Sequence, residues 1–87
     1  MKTIKQTARQ MIRILNSKGW CRGYFENKQG HVCVVGAYDI VNNPWSNMHT
    51  VITKAIDSSE MSVVKWNDSQ TDKRAVTRML KKVIRDA

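Results

Sequence analysis

A chain of 87 residues encloses one small hydrophobic core but not two, so 1–87 is read as a single domain of marginal size. No apolar run reaches the roughly 20 residues of a membrane-spanning helix or the apolar stretch of a secretory leader, and two cysteines, Cys21 and Cys33, are too few for a disulfide framework. The chain is therefore expected in the cytoplasm with reduced thiols and no membrane partner, and its net charge of +8 favours an acidic one.

That charge is unevenly placed. Residues 1–22 carry six basic groups and no acidic one, residues 23–72 three basic against six acidic, and residues 73–87 six basic and one acidic. Steering and counterion release depend on where charge sits as well as on its sum.

Thr3 and Gln6 have the form of a capping box, and Ile4, Ala8, Met11, Ile12 and Leu15 recur at helical spacing until Gly19. A first helix is predicted over 4–17. Lys2, Lys5, Arg9 and Arg13 form a stripe beside its apolar face. From Trp20 to Val35 the pattern turns β-like, with Tyr24-Phe25, a polar stretch ending in Gly30, and the run 31–35, which together predict a hairpin. Its second strand competes with a short buried helix opening between Cys33 and Gly36 and closing at Asn42-Asn43-Pro44, and the helix is favoured. Ser46 can cap a third helix with Met48, Val51, Ile52, Ala55 and Ile56 inward, ending before Ser58-Ser59. Residues 61–66 are β-branched and aromatic and predict a strand. A turn over 67–71 leads to an amphipathic helix with Ala75, Val76, Met79, Leu80, Val83 and Ile84 on one side and basic residues opposite. The expected fold is α+β: four helices around a short two- to three-stranded antiparallel sheet, with Trp20, Trp45 and Trp66 supplying much of the core.

Cys21, His31, Cys33 and His49 are a possible zinc set, but they lack the close pairs that structural sites use, so neither metal nor cofactor is expected. Cys33 is the sharper chemical candidate. At a helix start the dipole favours its thiolate, His31 or His49 could act as base, and Asn67 or Asp68 could orient that base. A packed, inert thiol in the apolar run 32–37 is the favoured alternative, and the chain is read as non-enzymatic. The glycines match no phosphate loop. Trp66-Asn67-Asp68 is read as structural, the indole filling the core and the polar pair satisfying backbone donors of the turn.

The basic surfaces remain. Lys5, Arg9 and Arg13 on the first helix and Lys73, Arg74, Arg78, Lys81, Lys82 and Arg85 on the last are the expected partner-binding residues. Lys73 and Arg74 sit where free N–H groups of a helix start attract an anion, with Asp68 and Asp72 competing for the place. A purely solvating face usually mixes signs, and this one does not. The partner is expected to be an acidic protein or nucleoprotein surface, or alternatively a DNA or RNA backbone. Base reading is not expected, because neither a stacking platform nor a helix-turn-helix is present.

The order Gly19-Trp20-Cys21-Arg22-Gly23, then 30–37 with Cys33 and Gly36-Ala37, then Trp66-Asn67-Asp68 before a final helix, resembles an uncharacterised family of small proteins from bacteriophages and bacteria. Those share a GW-x-x-G, a C-x-x-GA and a late WND. The resemblance covers most of the chain and implies an α+β domain in a phage or mobile-element setting, with no established activity, cofactor or catalytic residue. By analogy with such proteins, the expected role is an accessory factor that binds and modulates a host macromolecule such as a defence or transcription complex.

Overall fold

The computed structural model describes residues 3–41, 48–56 and 62–87, leaving out the side chain of His49. Within them the chain forms five helices: α1 (Ile4–Lys18), α2 (Val34–Val41), α3 (Met48–Ala55), α4 (Val63–Ser69) and α5 (Lys73–Asp86). No strand occurs among the described residues, so the fold is all-α and the expected α+β arrangement is corrected. Lys2, Trp45, Met61, the expected Ser46 cap and the helix stops at Asn42-Asn43-Pro44 and Ser58-Ser59 lie outside the described residues.

The hairpin fails for a local reason. Its only pairings are two isolated bridges, both on Val32: parallel with Trp20 and antiparallel with Glu26. Gly23 and Gly30 adopt positive φ, which breaks strand geometry on both sides of the loop. The Asn27 carboxamide oxygen accepts from the N–H groups of Gln29 and His31 at 3.1 and 3.0 Å, closing a tight turn with the Gly30 N–H on the Asn27 carbonyl. The second strand is then used up, because α2 begins at Val34.

The strand predicted over 61–66 is instead the start of α4. Ser62 caps it, its hydroxyl accepting from the Lys65 N–H at 3.2 Å, which satisfies a donor that β-propensity ignores. Val63 and Asn67 are buried and Trp66 is half-buried, while Val64, Lys65 and Asp68 face solvent. That i, i+3, i+4 pattern belongs to a helix and not to an alternating strand.

α1 forms as its sequence indicates. Thr3 accepts from the Gln6 N–H and Gln6 returns the bond to the Thr3 N–H, and Gly19 ends the helix at φ 95° with its N–H on the Leu15 carbonyl. α5 is capped by Asp72, whose carboxylate accepts from the Ala75 N–H at 3.2 Å.

The principal helix–helix contacts close a ring, α1 to α5, α5 to α3, α3 to α4, α4 to α2, and α2 back to α1. Each helix turns its apolar side inward. The largest wholly buried apolar side chains are Met11, Leu15, Met48 and Leu80 with four valines, whereas Trp20 and Trp66 are only partly buried against them. The core is thus aliphatic and methionine-rich, and the indoles are its lid.

Candidate binding face

One buried polar node fixes the frame on which the outer surface is carried. Asn67 is wholly buried at the end of α4. Its carboxamide oxygen accepts from the Trp20 indole N–H at 2.8 Å and from the Val34 N–H at 3.1 Å. Its amide nitrogen donates to the Cys21 carbonyl and the Asp68 carboxylate, both at 3.2 Å. Asp68 in turn accepts from the Gly23 N–H at 2.9 Å. The three short motifs, around Trp20, around Cys33 and at Trp66-Asn67-Asp68, therefore meet at one point. The expectation that Asn67 and Asp68 serve a local turn misses this: their partners lie far back in the chain, on the loop after α1 and the first residue of α2.

The cysteines belong to the same region. Cys21, 7% exposed, donates from sulfur to the carbonyls of Tyr24 and His31 at 3.3 and 3.2 Å. Burial first, then repulsion from Cys33, pushes its thiol above the ordinary 9.0, which holds the proton needed for those bonds. Cys33, 2% exposed, precedes α2, and its sulfur accepts from the Gly36 N–H at 3.4 Å. That is a capping role at the helix start. No hydrogen bond joins the His31 ring to either sulfur among the described residues. The His31 ring packs over Gly19, where an added Cβ would lie 2.6 Å from it. No three His, Cys, Asp or Glu side chains converge as metal ligands among the described residues.

The basic residues divide into those the fold uses and those it leaves free. Arg22 donates to the Gln70 carbonyl at 3.1 Å. Half-buried Lys82 reaches the Ala55 carbonyl at 3.4 Å, placing its charge at the negative end of α3. Lys73 is half-buried in the first turn of α5. The anion place at that helix start is taken by Asp72, while Asp68 is engaged with Gly23 instead. Arg85 pairs with its neighbour Asp86 at 3.4 Å.

Lys5, Arg9 and Arg13 on α1, and Arg74, Arg78 and Lys81 on α5, are all exposed. None of these six meets a carboxylate among the described residues. The two groups lie on neighbouring helices. α1 and α5 are ring neighbours, and Ile4 at the start of α1 shares a depression with Val83, Asp86 and Ala87 at the end of α5, so the helices run antiparallel. Their inward faces, Ala8, Met11 and Leu15 on one and Val76, Leu80 and Val83 on the other, point into a common core, so both sets of cations stand on the sides turned away from it. Each helix carries one row of three cations. With about 1.5 Å rise per residue, successive charges in a row stand about 4.5–6 Å apart along the helix, and rows on the outward sides of two packed helices are at least as far apart as their axes, roughly 8–10 Å. Beside the α5 row an open depression of about 560 Å³ is lined by Ala75, Met79, Arg78, Lys81, Lys82 and Arg85.

No large exposed hydrophobic residue lies on this face. Among the described residues the exposed ones are Tyr24 (68%), Phe25 (57%), Ile40 and Val64, on the loop, α2 and α4. No helix among the described residues is long and apolar enough to cross a membrane.

Over residues 1–86 the chain matches DUF6197, a family of unknown function. No curated protein and no solved structure matches it.

Proposed function

For a chain that belongs to DUF6197, a family whose description assigns no activity, we propose a non-enzymatic binding module whose α1–α5 face docks on an acidic macromolecular partner and modulates it. The site of action is the cytoplasm, and in a phage setting the partner is a macromolecule of the host, an acidic protein or a nucleoprotein complex. The observation that carries this reading is the pair of cation rows: six exposed Lys and Arg side chains on two neighbouring helices, without a compensating carboxylate among the described residues. Holding like charges side by side costs self-repulsion, and a surface built for solubility alone avoids that cost by mixing signs.

The test is capture from a bacterial lysate by the tagged full chain, with and without nuclease, beside an Arg9→Glu/Arg78→Glu variant. The expected result is a discrete partner or complex retained by the parent chain and lost from the variant. Equal retention by both chains would remove the face from the function.

A further inference from the structure

We propose that the polyanion seated on the α1–α5 face is the backbone of B-form duplex DNA, bound without regard to sequence, with one cation row on each phosphate wall of the major groove. The inference rests on the binding reading above and narrows it to one partner.

Three observations point this way. First, the face carries no large exposed hydrophobic residue. Protein interfaces gather aromatic and aliphatic residues at their core and place charge at the rim, whereas the large exposed hydrophobics among the described residues lie off α1 and α5. A surface of guanidinium and ammonium groups suits phosphate, where neutralisation and counterion release supply the affinity.

Second, the spacing is regular and two-sided. Lys5, Arg9 and Arg13 follow one another at four-residue steps, and Arg74, Arg78 and Lys81 repeat the row antiparallel on the neighbouring helix. Packed helix axes stand roughly 8–10 Å apart and outward side chains splay farther, which puts the two rows at a separation of the order of the major groove, about 12 Å wide. The deep, narrow major groove of A-form RNA offers no such seat.

Third, single strands are disfavoured, because they are held by aromatic stacking within a basic groove. Among the described residues the exposed aromatics, Tyr24 and Phe25, stand instead on a loop whose own charges, Arg22, Glu26 and Lys28, mix signs. Glu26 there approaches Lys18 at 3.9 Å.

The experiment is a fluorescence-anisotropy titration of the full chain against four probes over a salt series: a random-sequence 20-base-pair DNA duplex, the matching RNA duplex, a single-stranded DNA of the same length, and polyglutamate. The DNA duplex is expected to bind most tightly. Its plot of log K against log salt should have a slope of about −5, from roughly −0.9 for each of six cations. Replacing either row by alanine (Lys5, Arg9 and Arg13, or Arg74, Arg78 and Lys81) should reduce the slope to about −3. These side chains are exposed, and circular dichroism of each variant verifies the fold.

No DNA binding at low salt overturns the inference, as does RNA duplex or single strand binding as tightly as DNA duplex, or a slope indifferent to one row. Row-dependent binding of polyglutamate without DNA binding overturns the DNA assignment but leaves the docking face standing. Binding to none of the four probes, together with lysate capture indifferent to charge reversal, removes both.

Discussion

The Asn67 node and the α1–α5 face treat polar groups in opposite ways. At the node every donor and acceptor has a partner inside the protein: Asn67 alone takes four hydrogen bonds, linking α4 to the first residue of α2 and to the loop after α1. On the face, six charged side chains have none among the described residues. A small chain with a marginal core can hold itself together at the first kind of place and display unsatisfied charge at the second. The contrast separates stability from binding, and variants at each place should move one without the other.

The largest effect is expected at Asn67. Asn67→Ala strands the Trp20 indole N–H, the Val34 N–H and the Cys21 carbonyl in a buried setting, each costing about 1–3 kcal/mol. A total loss of roughly 3–5 kcal/mol would consume much of the stability of a domain this size. Chemical denaturation should show a collapsed midpoint, and a loss below about 1 kcal/mol would mean that water replaces the missing bonds.

Gly36→Ala comes next. Gly36 has ordinary backbone geometry, but an added Cβ would run into the Phe25 carbonyl oxygen, which also accepts from the Cys33 N–H at 3.2 Å. Backbone pressed on backbone cannot step aside as a side-chain tip can, so the loop must lift from α2, at a cost of about 1–3 kcal/mol. Thermal unfolding should report that loss, and an unchanged melting temperature would show that the loop rides loosely on the helix.

This region also marks where the sequence stops being legible. α1 and α5 can be read directly, because their caps are local and their apolar period runs over several turns. α4 cannot: seven residues give too short a period to outweigh Val63, Val64 and Trp66, and its helical state is secured by Asn67 bonding to Trp20 across 47 positions of sequence. The basic stripes were visible one helix at a time. Their adjacency is a product of ring order, and the withdrawal of Lys82 and Arg22 onto the carbonyls of Ala55 and Gln70 depends on contacts that no local pattern records. The sequence leaves the start of α2 open between Cys33 and Gly36, and it cannot show that the Cys33 sulfur caps that helix from within the core.

Cys21 sharpens the comparison through pH. Its folded thiol is held above 9.0 by burial and by Cys33, so the native state keeps a proton that the unfolded chain releases. The bound-proton difference then favours the unfolded state as pH rises: stability from this group is level below the ordinary thiol value and declines above it. Urea midpoints measured across the alkaline range should fall in the parent chain and fall less in Cys21→Ala, compared at matched starting stability. Parallel slopes would assign the alkaline loss to other groups.

The smallest effect on stability is expected where the effect on binding is greatest. Arg9 and Arg78 make no ion pair among the described residues, and exposed substitutions of this kind usually change stability by no more than about 0.5 kcal/mol. Arg9→Glu/Arg78→Glu also lowers the net charge from +8 by two units for each substitution, easing repulsion between the two rows, so the sign should be neutral or slightly stabilising. Melting temperature and partner capture measured on the same preparation should therefore diverge, the first level or rising and the second falling tenfold or more. If both fell together, the cations would be contributing to the packing of α1 on α5, and the division between a satisfied node and an unsatisfied face would not hold.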